Sequence, residues 1–296
     1  MTKNREKRAA IARKTIEILE RGFYINQQEE TVNLQENLQY AIENSIHYSE
    51  KDFSRVFSQL REKQVRENQH QIQFEIENET TLHAASRLVN QEDEKKEEEK
   101  KDEEKEKILC LNFASAKNPG GGFLNGSQAQ EESLARATGL FPCISRMTAM
   151  YEKNRNYSSC LYLDDMIYSP KVPVIRNDND DLLDKPFLVS ILTAPAVNAG
   201  AVRKKGKKQE INQIETTMLQ RTEKLLSVAA INDYKVLVLG AWGCGVFQNN
   251  PNDVAKYFHY HLVENPLFKG FFEKIVFAIL DNTKDESLIN AFRDKF

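Results

Sequence analysis

Apolar positions along this chain recur with two different periods, and the point where one gives way to the other divides the sequence. Between Thr2 and Arg21, the positions Ile11, Thr15, Ile18 and Leu19 form one helical stripe among Lys, Arg and Glu, and Gly22 ends it. Ser49-Glu50-Lys51-Asp52 opens a second helical region, with Ser49 placed to cap and acids in the first turn to meet the exposed N–H groups. From Gln71 to Glu77 the period shortens: Ile72, Phe74 and Ile76 alternate with polar residues, as in a half-buried strand, before Thr81 to Val89 returns to helical spacing. The stretch Glu92 to Lys107 has no apolar stripe at all, so it is expected as a solvated helix or a disordered surface insertion that carries no chemistry. Beyond it, the short apolar runs Ile108 to Phe113, Phe187 to Leu192, Tyr234 to Leu239 and Lys274 to Leu280 are interleaved with helical candidates Ile211 to Ala230, Pro251 to Val263 and Glu286 to Phe296. Such alternation predicts an α/β fold with a largely parallel sheet buried between helices, in which ligands sit at the carboxyl ends of the strands. The expected organisation is an N-terminal helical extension with a first sheet element over residues 1–91, a charged insertion or linker over 92–107, and a core over 108–296.

Charge and cysteine content narrow the function classes. The formal net charge of -3 is uneven: the 92–107 stretch holds ten acids and six lysines, which leaves the rest of the chain almost neutral. No broad basic face for duplex nucleic acid is expected, although a phosphate-bearing ligand needs only a local pocket. The four cysteines, Cys110, Cys143, Cys160 and Cys244, lie far apart without metal-ligand spacing, as in a reduced protein. No apolar run reaches membrane-spanning length, and Glu6 and Glu17 within the basic start argue against a transit peptide. The expectation is an intracellular monomer, cytoplasmic or nuclear.

Chemistry concentrates in two glycine loops, each following an apolar run. After Ile108 to Phe113 comes Asn118-Pro119-Gly120-Gly121-Gly122, and seven residues later Gln130-Glu131-Glu132 opens a helix. Successive glycines let the main chain take positive φ and approach a ligand, which sets carboxylates beside a ligand-hugging backbone. The second loop, Gly240 to Phe247, stands between a strand and a helix, an arrangement that favours anions through free N–H groups and the helix dipole. It lacks a P-loop lysine and the dinucleotide spacing, so a diphosphate bound by backbone is the better reading. Ordinary glycosidases place two carboxyls roughly 5 to 10 Å apart across the scissile bond. Adjacent helical residues diverge by about 100°, so one acid/base with an orienting neighbour fits Glu131 and Glu132 better than a symmetrical pair.

These two loops, together with Tyr168-Ser169-Pro170 and Ala194-Pro195-Ala196-Val197-Asn198 in the same order, resemble the bacterial-type poly(ADP-ribose) glycohydrolases of the macrodomain superfamily. The resemblance covers most of Ile108 to Asp281. It implies a three-layer α/β/α sandwich with a mostly parallel mixed sheet and an N-terminal helical extension. It also implies hydrolysis of poly(ADP-ribose), chiefly from chain ends, to release ADP-ribose without a cofactor or metal. By the same resemblance, Glu132 would be the catalytic acid, working beside Glu131. Glu131 and Asn118 would hold hydroxyls of the scissile ribose, and Gly120, Gly121, Gly122 and Gln130 would complete that side of the substrate site. Gly243, Cys244, Gly245 and Val246 would wrap the diphosphate, and Phe247 would pack near the terminal ribose. Partial burial is expected to raise the pKa of Glu132 towards working pH. Partners implied are poly(ADP-ribose) or an ADP-ribosylated protein, and the ADP-ribose product.

Other residues point elsewhere only weakly. His47, His70, His83, His259 and His261 lack acid or cysteine neighbours at metal spacing, so no zinc site is expected. Asp164-Asp165 reads as a turn, and Arg203-Lys204-Lys205-Gly206-Lys207-Lys208 as a solvated basic turn. Two alternatives use the same pocket: a non-catalytic ADP-ribose reader, and a hydrolase that removes single ADP-ribose groups. Retention of both acids favours the polymer hydrolase, because binding a diphosphate does not require Glu132.

Overall fold

Every second residue of Ile108–Phe113 belongs to a different core: Leu109 and Leu111 to one, Ile108 and Cys110 to the other. Val236–Leu239 divides in the same way, with Leu237 and Leu239 opposed to Val236 and Val238. A period of two with apolar residues on both sides is what a strand needs when helices cover both faces of its sheet. The computed structural model describes residues 2–64, 71–99 and 108–296. His70 and the 100–107 part of the charged run lie outside the described residues, while the 92–99 part continues the helix Thr81–Glu99.

Among the described residues the strands are, in chain order, β1 (Phe23–Ile25), β2 (Thr31–Asn33), β3 (Ile46–Tyr48), β4 (Gln73–Glu77), β5 (Ile108–Phe113), β6 (Met166–Arg176), β7 (Leu182–Ala194), β8 (Val236–Leu239) and β9 (Lys274–Ala278). β1 and β2 form a small antiparallel ribbon, and the other seven form one sheet in the order β3-β6-β7-β5-β8-β9-β4. The run β7-β5-β8-β9-β4 is parallel, β6 joins it antiparallel, and β3 pairs antiparallel with β6 at the edge. On one face pack the helices Phe53–Gln64, Ile214–Ile231, Pro251–His259 and Ser287–Arg293. The other face is covered by Thr81–Glu99, Gln130–Ala137, Leu140–Ser145 and Thr148–Asn156. This is the expected three-layer α/β/α arrangement with a mostly parallel mixed sheet.

Three readings change. β6 was not evident from its sequence, because Pro170 and Pro173 lie within it and proline cannot donate to a ladder. The strand tolerates them through register shifts between Ser169 and Val172 and between Val174 and Arg176, with Lys171 at φ 49°. Asp164-Asp165, read as a turn, is tied down by cations: Asp165 is buried beside His47 and Lys153, and Asp164 pairs with Arg221 and Lys224. The basic segment after Asn198 is mostly helical, as Ala199–Lys205 and Lys208–Asn212.

The N-terminal helix Thr2–Arg21 packs on the first glycine loop. Ala12 joins Phe123 and Ala135 in a small core, Thr15 Oγ1 donates to the Arg136 carbonyl at 2.7 Å, and Arg5 and Arg8 donate to the Asn125 and Gly126 carbonyls at 2.8 and 2.9 Å. Gly126, at φ 72°, has no room for a side chain because a Cβ would overlap the Arg5 carbonyl. Arg5 and Arg8 thus tie the helix to carbonyls of the loop.

Candidate active site

β7, β5 and β8 are adjacent and parallel, so the segments leaving Ala194, Phe113 and Leu239 emerge side by side at one edge of the sheet. That juxtaposition brings the first glycine loop, the Pro195 to Asn198 segment and the second glycine loop to one cleft.

In the first loop, Gly120 and Gly121 adopt φ of 70° and 60°. Gly121 is required twice over: its φ disfavours a side chain, and a Cβ there would collide with Glu132 Oε1 and lie 3.1 Å from Glu131 Oε2. Both carboxyl groups therefore reach the same glycine. Their Cβ atoms diverge as adjacent helical residues must, but the helix Gln130–Ala137 begins here, and its first side chains fold back on the preceding loop. Ala129, at the N-cap, supplies no side-chain acceptor, and the acids bind loop amides instead. Glu132 Oε1 accepts from Gly122 N at 3.0 Å, and Glu131 Oε2 accepts from Ser115 N at 2.7 Å.

The two acids have different surroundings. Glu131 is 3% exposed, whereas Glu132 is half-buried at the cleft. Burial, reinforced by the neighbouring Glu132 charge, pushes the Glu131 carboxyl up to about 8 against the lowering effect of the Ser115, Asn112 and Gly120 hydrogen bonds. Its Oε1 is buried without a hydrogen-bond partner among the described residues.

Gln130 does not face the cleft as a free ligand-binding group. Its Oε1 accepts from Phe113 N at 2.9 Å, and its Nε2 donates to the Leu111 carbonyl at 2.7 Å and to Thr81 Oγ1 at 3.1 Å. It ties the acid-bearing helix to the end of β5. Asn118 is exposed; its main chain closes the loop, accepting from Gly121 N at 3.0 Å, and its side chain makes no hydrogen bond with any described residue.

The second loop differs in kind. Trp242 Nε1 donates to the Ala194 carbonyl at 3.0 Å, and Asn249 Nδ2 donates to the Val197 and Gly243 carbonyls at 2.7 and 3.1 Å, which pins both ends of the loop to the end of β7. Between these pins the N–H groups of Gly245, Val246 and Phe247 donate to nothing among the described residues. Val246 is 79% exposed, and a Cβ on Gly245 would meet nothing within 4 Å. The helix Pro251–His259 does not supply the free amides, because Asn250 caps it by accepting from Asn252 N. Burial pushes the Cys244 thiol up to about 12, so it carries no thiolate for nucleophilic chemistry. Phe247 is half-buried, with its ring centroid 5.8 Å from that of Tyr162.

Sequence reasoning had not singled out Trp242 or Tyr162. Trp242 lies within a recognised loop and could have been noticed as the chain's single tryptophan; Tyr162 carries no local signal. Among the described residues no group of three or more His, Cys, Asp or Glu side chains is placed to hold a metal ion, and no helix is long and apolar enough to cross a membrane.

The chain matches the family described as microbial-type PARG, catalytic domain, over residues 12–177. Among solved structures it is similar to the poly(ADP-ribose) glycohydrolase of Thermomonospora curvata bound to the inhibitor ADP-HPD, at 35% identity and a TM-score of 0.85, covering 98% of this chain and 100% of that one. It is also similar to the Deinococcus radiodurans enzyme in complex with ADP-ribose, at 38% identity and a TM-score of 0.76, covering 87% of this chain and 96% of that one. No match to a curated protein sequence was found. With its family domain matched over more than half its length and with similar structures spanning nearly all of it, the chain belongs to the microbial-type poly(ADP-ribose) glycohydrolases.

Proposed function

We propose that the protein hydrolyses the ribose–ribose O-glycosidic bonds of poly(ADP-ribose), working from the chain end and releasing ADP-ribose, with Glu132 as the acid and then the base. The observation that carries this reading is the seating of Glu132: a half-buried carboxyl held by Gly122 N and packed against Gly121, where any side chain would displace it. The protonated Glu132 gives its proton to the departing ribose oxygen as the glycosidic C–O bond breaks, leaving an oxocarbenium-like ribose. The resulting carboxylate then takes a proton from the water that bonds to that carbon, which regenerates the acid. Glu131, neutral below about pH 8, and Asn118 orient the ribose hydroxyls. The free amides of Gly245, Val246 and Phe247 receive the diphosphate. Structures of the Thermomonospora and Deinococcus enzymes with ADP-HPD and ADP-ribose support an ADP-ribose-shaped ligand for this cleft. In this reading residues 1–91 and 108–296 form one catalytic unit, because the N-terminal helix clamps the acid-bearing loop and β3 and β4 complete the sheet.

The test is to incubate the protein and its Glu132→Gln variant with poly(ADP-ribose) in chelator, and to measure released ADP-ribose alongside ADP-ribose affinity. Release lost by the variant, with affinity kept, is the expected result. Binding without release by either protein would leave only a reader.

A further inference from the structure

The loop between the helix Thr148–Asn156 and β6 holds a bulky residue in an unfavourable conformation. Tyr162 has φ of 57°, a region that aromatic side chains seldom occupy and that persists only where the surroundings enforce it. The surroundings here are a fully buried guanidinium. Arg221 Nη2 donates to the Leu161 and Tyr162 carbonyls at 3.0 Å each, its Nη1 donates to the Pro195 carbonyl at 3.0 Å, and its Nε pairs with Asp164. Asn198 caps the next helix after β7 by accepting from Ala201 N at 3.0 Å.

This clamp places the Tyr162 ring where the two glycine loops face each other. One contact is Phe247 of the second loop, at 5.8 Å between centroids. The other is Lys117, immediately before Asn118 in the first loop, whose Nζ stands 5.9 Å from the ring centroid. Lys117 makes no ion pair with any described residue. The second loop offers amides but no cation of its own between Gly240 and Asn249, so a doubly charged ligand there lacks a counter-charge unless a neighbouring element supplies it.

We propose that Lys117 and Tyr162 form a ligand-positioning pair: the clamped Tyr162 ring holds the Lys117 ammonium between the two glycine loops, where it receives the diphosphate of ADP-ribose. This rests on the functional reading above and adds the source of positive charge to it. The strained backbone at Tyr162 is then the structural cost of setting a ring at the junction of two loops.

The test uses the full-length protein, with ADP-ribose affinity measured by calorimetry at low and high salt, and thermal melting as a check on folding. Lys117→Gln is expected to weaken ADP-ribose binding by about 10-fold at low salt and to flatten its salt dependence. Tyr162→Ala is expected to do the same, the double variant to be little worse than either, and Tyr162→Phe to stay near the wild type because it keeps the ring. A Lys117→Gln protein with wild-type affinity and wild-type salt dependence would overturn the pair. So would additive losses in the double variant, since they would mean that the ring does not position the ammonium. If Tyr162→Ala melts early, Lys117→Gln alone still decides, because its side chain supports no part of the fold. A wild type that neither binds ADP-ribose nor cleaves the polymer would instead remove the functional reading itself.

Discussion

The two glycine loops follow adjacent parallel strands and look alike in composition, yet they use glycine for opposite purposes. In the first, the space left by Gly121 is filled by two carboxyl groups, so the loop exists to seat side chains. In the second, Gly245 faces open space and three successive amides remain unpaired, so the loop exists to expose backbone. The lesson is that a glycine-rich loop announces close approach without saying what approaches. Under the proposed function, substitutions in one loop should change rate where those in the other change affinity.

The largest effect expected is that of Glu132→Gln, which removes the transferable proton while keeping the shape. The turnover rate should fall by about 10²–10⁴-fold with ADP-ribose affinity nearly unchanged, as read by product release and calorimetry. Next comes Gly121→Ala. It forces a side chain to φ 60° and into Glu132 Oε1, and it should destabilise the fold by roughly 2–4 kcal/mol while displacing both acids. Chemical denaturation and turnover should then fall together. A variant that melted like the wild type and turned over normally would break the contrast between the loops.

Glu131→Gln sharpens the comparison through pH. In the unfolded chain a Glu carboxyl titrates near 4.5, whereas burial holds the folded Glu131 at about 8, so the folded protein binds that proton more tightly. The stability this provides is fully present below about pH 4.5 and is lost as pH rises through about 8. Glutamine imitates the neutral acid and cannot ionise. The variant should therefore melt close to the wild type at pH 4.5 and be more stable by roughly 1–3 kcal/mol at pH 9, the cost of a charged group buried without full compensation. A constant difference across pH would mean that Glu131 is already ionised in the folded protein.

What the sequence disclosed, and what it hid, divides along the same physical line. Ile108 to Phe113 was legible because a strand buried on both faces is apolar at nearly every position, here all but Asn112, and the Gly-Gly-Gly to Gln-Glu-Glu spacing was legible because close approach leaves few alternatives to glycine. β6 was hidden by Pro170 and Pro173, which argue locally against a strand that bulges make possible. Gln130 was visible as part of a motif, but its bonds to Phe113, Leu111 and Thr81 show it bracing the helix rather than facing the cleft. Arg5, Arg8 and Arg221 look like any surface cation in the sequence. Their partners are main-chain carbonyls, which no residue pattern advertises.

The smallest effect on the fold should come from Gly245→Ala, the counterpart of Gly121→Ala in the other loop. Its φ lies outside the left-handed region and its added methyl meets nothing within 4 Å, so native contacts are kept and the unfolded chain loses some freedom. Stability should stay level or rise by about 0.4–1 kcal/mol. Any functional change should appear in ADP-ribose affinity rather than turnover, because Gly245 lies among the unpaired amides whereas the carboxyls are seated at Gly121 in the other loop. A fall in turnover at saturating polymer with unchanged affinity would show that the second loop acts on the chemistry as well, and the division between an acid-seating loop and a phosphate-cradling loop would have to be abandoned.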